Sequence, residues 1–440
     1  MRPGLAWLVS LAALPLVGYP VAFARPFRSL PVGCRLALAG GAGCFILSTV
    51  MTLAALLGVR WSPALLVVAS FVVSVAVGRT IAREDPIGRP VEEPHGPISI
   101  AGALSSAAAV AIVTLSVAAG ASTSGDFILF WGPKAQAFAA ARTIDASFLK
   151  DPFLEYLHAS YPPLVPNIFA FASMVAGRFA WGAATATFPL TLAGLAVALP
   201  GILRLGASRP AAHAVSAVVV AGLGLIGMET DVAGSAEMPL LFFETLALAL
   251  LVSPAASRPS VQLLAGLLLG GAAATKVEGL PVALAASFLF VALRRGEGRP
   301  GAALVRLLAP TAVAVGLWFA FGVVKDAFRG YRGYGRFLEV HLAASRTVLG
   351  GIARALWLIG YGLPFLVPAT LLIVRRRPWR PALLPLATAL ALTGFLVFTY
   401  LHVPDPALWI DWSAARVFAP LVPLLSLAVV ARDPRRPEKT

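Results

Sequence analysis

Apolar runs, most of them long enough to cross a bilayer, follow one another along the whole chain with short charged patches between them. About 20 apolar residues cross a hydrocarbon core of about 30 Å, and inside it a single segment pairs all its backbone groups only as a helix. The pattern predicts an all-α polytopic membrane protein. Charged residues are only 12% of the 440 and hydrophobic residues 59%, where a soluble domain carries about 25% charged residues. An ordinary cytosolic enzyme is excluded. Cys34 and Cys44 share one apolar run, so neither a disulfide framework nor a cysteine metal site is expected.

The apolar runs place 13 spans at 5–24, 36–58, 62–78, 98–119, 182–203, 211–227, 238–253, 261–275, 279–293, 302–324, 349–374, 381–401 and 417–431. The first reads as a retained span, because the stronger basic patch (Arg25, Arg28, Arg35) follows it and no small-residue cleavage site is evident. The net charge of +15 would suggest nucleic acid in a soluble chain. Here the basic residues fall in alternate loops, at Arg79/Arg83/Arg89, Arg204/Arg209, Arg258, Arg294/Arg295/Arg299, Arg375/Arg376/Arg377/Arg380 and Arg432/Arg435/Arg436/Lys439. Basic loops are retained in the cytoplasm. This puts the C-terminus inside and the N-terminus outside, and it leaves nucleic acid without a case. The apolar stretch 164–177 is too short to cross comfortably and contains Pro166 and Asn167, so an interfacial or re-entrant helix is expected there.

On the non-cytoplasmic side lie a long first loop, 120–163, short turns at 229–237 and 276–278, and loops at 325–347 and 402–416. Most of the acidic residues collect there, among them Asp126, Asp145, Glu229, Asp231, Glu237, Glu278, Asp326, Asp405 and Asp411. Asp126 stands where a span ends, placed to take a proton from an acceptor hydroxyl. It equally suits the N-cap of a helix beginning near Phe127. Lys325, Arg329, Arg332, Arg336 and Arg346 break the orientation rule on this side. They fit either phosphate, which arginine clasps with two hydrogen bonds, or lipid headgroups reached by snorkelling. Gly330, Gly333 and Gly335 are not followed by Lys-Ser/Thr, so a nucleotide loop is unsupported. Glu244 falls about two helical turns into a span, where a carboxylate usually faces a cavity or a partner. His158, His341 and His402 lack metal-ligand spacing.

Five features occur in one order: Asp126 after an early span; Phe130-Trp131-Gly132-Pro133-Lys134-Ala135; Tyr161-Pro162-Pro163-Leu164; Ala236-Glu237-Met238-Pro239-Leu240; and Gly266–Gly270 leading to Thr275-Lys276. In that order the chain resembles the GT-C superfamily of integral-membrane glycosyltransferases over about residues 120–293, with an echo at Arg416. Protein O-mannosyltransferases and the lipid A aminoarabinose transferase belong to that group. The resemblance implies a polyprenyl-phosphate sugar donor, transferred with inversion to a lipid, glycan or protein hydroxyl on the non-cytoplasmic face. It implies that Asp126 is the catalytic carboxylate and that Lys276 and Arg416, with Arg332 and Arg336 beside them, meet the donor phosphate. Tyr161, Glu237, Trp131 and Lys134 become the substrate-binding set. A divalent metal is the cofactor this pattern raises. Against it, Asp126-Phe127 stands for the family's frequent Asp-Glu pair, and Glu237 for the second-site Asp.

The expected organisation is extra N-terminal transmembrane helices in 1–119, a catalytic module in 120–293 with interfacial helices in its first loop, and C-terminal spans in 294–440. An Ala-, Gly- and Arg-rich composition fits a bacterial inner membrane, with the active site facing the periplasm. The rival class is a transporter or lipid flippase in which Glu244 and Lys276 couple or bind substrate. A third is a non-catalytic membrane partner on the same scaffold. Outer-loop placement of the polar residues favours the enzyme, since transporters site theirs near mid-membrane.

Overall fold

The computed structural model describes residues 3–88, 93–94, 96–121, 123–151, 153, 158–230, 233–294, 299–328, 340–358, 368–369, 382–403 and 405–431. Helices α1 (Pro3–Leu11), α2 (Ala13–Ala22), α3 (Val32–Leu56), α4 (Pro63–Ile81) and α5 (Pro97–Ala118) come first. A π turn, Phe127–Trp131, then leads into α6 (Gly132–Ala141), α7 (Ala146–Lys150), α8 (Leu164–Ala176) and α9 (Trp181–Ala184). The central part holds α10 (Thr187–Leu203), α11 (Arg209–Glu229), α12 (Glu237–Val252), α13 (Pro259–Thr275), α14 (Gly279–Leu293) and α15 (Pro300–Val324). The last elements are α16 (Ser345–Leu358), α17 (Leu383–His402), α18 (Pro406–Val417) and α19 (Leu421–Val430).

Nine helical stretches among the described residues are long and apolar enough to cross a membrane, and 164–176, 259–275 and 279–293 are shorter apolar helices. The chain is an all-α polytopic membrane protein. Burial sorts its helices. Every residue of α12 is buried, and nearly every one of α13, as expected of helices apolar all round. On the periphery, α4 and α5 are only 28% and 22% buried over their apolar windows, leaving faces that suit lipid. Close backbone approach sets part of the packing: a Cβ on Gly18 or Gly43 would meet the backbone of the facing helix, which lets α2 and α3 touch.

Two expectations change shape here. The stretch 164–177 forms α8, of 13 residues, ended by Gly177 at φ 77°. Ten of its residues are buried, against α1, α3 and α6, so it is enclosed and not laid on the surface. Asn167 donates from Nδ2 to Ser48 O, Ser48 Oγ and Thr52 Oγ1 at 3.1–3.3 Å, which fixes α8 to α3. The segment 402–416, read as a loop, is largely helical. Asp405 accepts from the Leu408 N–H at 3.1 Å and Pro406 begins the first turn, so α18 starts there and runs into α19 as one apolar stretch, Pro406–Val430. Of the expected span 349–374, α16 takes up the start; residues 359–367 and 370–381 lie outside the described residues.

One end of the bundle is sutured by the loop after α4. Glu84 accepts from the Ser260 N–H at 2.9 Å and its Oγ–H at 2.7 Å, capping α13 from a distant part of the chain. Asp85 pairs with Arg25 at 2.8 Å and gives its carbonyl to Arg258. Glu93 accepts the Arg209 N–H at 2.7 Å at the start of α11. Much of the basic residue set lies at this end, and the candidate site lies at the other.

Candidate functional site

Four helix ends meet opposite that suture, each carrying the charge its backbone dipole favours. Glu237 is the first residue of α12, Lys276 caps the C-terminus of α13, Glu278 caps the N-terminus of α14, and Arg416 is in the last turn of α18. Acids at N-termini and bases at C-termini are the stabilising arrangement. Asp126 reaches them from the first long loop. That loop is fastened to the α11–α12 turn by the bridge of Thr123 to Ala233 and by Ser124 N–H donating to Ala233 O at 3.0 Å.

The five side chains form one chain of ion pairs. Arg416 Nη1 is 2.6 Å from Asp126 Oδ2 and 3.5 Å from Glu237 Oε1. Lys276 Nζ is 3.0 Å from Glu237 Oε1 and 3.1 Å from Glu278 Oε1. Burial alone would weaken the hold of Lys276 on its proton, but Glu237 and Glu278 outweigh it and keep the ammonium above its ordinary value. Asp126 does not cap a helix: its own backbone is helical with no capping bond, and its N–H donates to Ser124 Oγ at 3.1 Å.

Depth follows from helix length. α12, α13 and α14 have 16, 17 and 15 residues, or about 22–26 Å, against the about 30 Å of a hydrocarbon core. Gly266 packs against Arg306 and Gly270 against Pro310, so α13 runs in register with α15 and Lys276 lies recessed below the Val324 end of α15. The recess among Glu237, Lys276, Glu278 and Arg416 is small, about 10 Å³, room for about one water. A larger cavity of about 610 Å³, lined mainly by apolar groups of α5, α9, α10 and the π turn, begins at Phe127, next to Asp126.

Trp131, Lys134 and Tyr161 form a second layer. Trp131 stacks on Tyr161 at 5.9 Å and Tyr161 on His158 at 4.8 Å. Lys134 donates to His158 O at 2.8 Å and lies 5.4 Å from the Trp131 ring centre. Only 2% of Lys134 is exposed, and burial pushes its ammonium down to about 7. His158, at φ 49°, is lowered to about 4 by burial and then by the charges of Lys134 and Lys276. The layer lies within electrostatic reach of the ion chain, Lys276 acting on both Tyr161 and His158. Arg332 and Arg336 lie outside the described residues.

Glu278 completes the ion chain and was absent from the expected site. Its signal was local: it follows Lys276 by two residues in a three-residue turn between apolar runs. Glu244 lies two turns down α12, 1% exposed, with neither carboxyl oxygen hydrogen-bonded among the described residues. A divalent metal does not fit the residues present. Lys276 Nζ fills the position between Glu237 and Glu278, and among the described residues no three acidic, histidine or cysteine side chains converge as ligands.

No family model, curated protein or solved structure matches this chain.

Proposed function

We propose that the protein is a GT-C-type membrane glycosyltransferase that moves a sugar from a polyprenyl-phosphate donor to an acceptor hydroxyl, with inversion. The supporting observation is convergence: Asp126, Glu237, Lys276 and Arg416, scattered over 290 positions, join in one recessed ion chain at one end of the bundle. In this reading that end faces the periplasm of a bacterial inner membrane, and the short helices complete a set of about 13 spans. The 610 Å³ apolar cavity beside Asp126 is in the size range of ligand sites and suits a hydrocarbon chain.

The donor phosphate draws Arg416 off Asp126, which frees the carboxylate. Asp126 takes the acceptor hydroxyl proton as that oxygen attacks the anomeric carbon from the face opposite the phosphate. The bond from that carbon to the phosphate oxygen breaks, and polyprenyl phosphate leaves with the electron pair. Arg416 and Lys276 stabilise the charge on the leaving group, in surroundings that screen it weakly. Tyr161 and Trp131 offer ring faces near the sugar. The test is transfer from a panel of labelled polyprenyl-phosphate sugars by purified protein. Wild-type rates in Asp126→Asn would remove the proposed role of Asp126, and no transfer from any donor would remove the reading.

Glu244, buried inside α12 with no hydrogen-bond partner among the described residues, favours a second reading as a transporter or lipid flippase. That reading requires flux or flipping in proteoliposomes without sugar transfer, abolished by Glu244→Gln.

A further inference from the structure

The turn 276–278 puts an ammonium between two carboxylates that could not otherwise face each other. Glu237 and Glu278 are 3% and 8% exposed, so water does little to screen their repulsion. Each gives Oε1 to Lys276 Nζ, at 3.0 and 3.1 Å, and the Oε2 of each is buried with no close hydrogen-bond partner among the described residues, the Ser235 side chain standing beside Glu237. Two facing carboxylates with a second oxygen apiece resemble the donor set that Mg²⁺ or Mn²⁺ takes together with water.

We infer that Lys276 is a built-in substitute for a divalent cation: its ammonium holds Glu237 and Glu278 together, keeps Mg²⁺ and Mn²⁺ from between them, and its removal opens a two-carboxylate site for such ions. A metal entering the native protein would have to expel the ammonium and leave it buried and unpaired, a heavy penalty. Without Lys276, the nearest cation recorded against these two acids is Arg416, 3.5 Å from Glu237 Oε1 and already bound to Asp126. The oxygen-only donor set selects Mg²⁺, Mn²⁺ or Ca²⁺ over softer ions. The inference is independent of sugar transfer, so either reading can fail without the other.

The experiment titrates full-length protein in nanodiscs with MnCl₂ alone and follows free Mn²⁺ by its paramagnetic resonance signal. Wild type and Lys276→Arg are expected to remove no more Mn²⁺ than empty nanodiscs. Lys276→Met is expected to bind a single Mn²⁺ per chain, and to lose it when Glu278→Gln is added. Saturable binding by wild type that Glu278→Gln abolishes would overturn the inference, as would a folded Lys276→Met that binds none. If Lys276→Met unfolds in metal-free buffer, recovery on supplying Mn²⁺ supports the inference and failure to recover overturns it.

Discussion

Arg416 Nη1 stands 2.6 Å from Asp126 Oδ2 and joins two residues 290 positions apart. Only 11% and 15% of these side chains is exposed, so water screens the pair weakly, and Glu237 adds a second negative charge beside Arg416. Removing one partner of a buried pair costs about 3–5 kcal/mol. With this residual exposure Arg416→Ala is expected to cost about 2–3 kcal/mol. Adding Asp126→Asn should restore about 1–2 kcal/mol of it. Thermal unfolding in detergent of the two single variants and the double variant measures the coupling, and additive losses would show that the pair is not coupled.

Arg416→Lys keeps the charge but replaces the planar guanidinium, whose Nη1 stands 2.6 Å from Asp126 and 3.5 Å from Glu237, by a compact ammonium. If sugar transfer is the activity, its rate should fall about 10²-fold, as for loss of one donor to a developing oxyanion. Unchanged KM with reduced kcat is the expected pattern. A change in KM alone would assign Arg416 to ground-state binding.

Lys134 releases its proton at about 7 when folded, against 10.5 unfolded. From pH 7 to 10.5 the unfolded chain holds a proton that the folded protein has lost, so stability rises with pH through that window. His158 behaves alike between about 4 and 6.5: stability falls as the pH drops through that range. Melting temperature against pH for wild type minus Lys134→Met should show the alkaline rise, and minus His158→Asn the acid fall. Parallel curves would contradict the burial of these groups.

At the sutured end, Glu84 holds both the N–H and the hydroxyl of Ser260. Glu84→Ala is expected to cost about 1–2 kcal/mol as a lost helix cap. Hydrogen exchange should speed up in the first turn of α13 while α5 stays protected. Uniform acceleration would mean the loop acts only through global stability.

The helices were legible because apolar runs in lipid have one available form. Asp126, Glu237, Lys276 and Arg416 are singled out by the resemblance to the GT-C superfamily, each matching a position of its pattern at the border of an apolar run. That they meet was not legible, because it depends on the Thr123–Ala233 bridge and on the unequal lengths of α12, α13 and α15. Lys134 belongs to the substrate-binding set that the resemblance implies, and its ammonium donates to the carbonyl of His158, a residue in a left-handed conformation. No local pattern announces such a turn at a histidine. The helical form of 406–417 was masked by Asp405, Asp411 and Arg416, which read as loop charges until the Asp405 cap and the Arg416 pair account for two of them.

Two helix N-termini and two helix C-termini converge on the ion chain. At roughly half a charge each and of opposite sign, their fields cancel at a distance and leave a near-neutral quadrupole in the scaffold. Seen from a distance, the polarity of the site is thus set by its side chains, while at contact range each helix end still favours the charge it carries, so reversing any one of them works against its own helix.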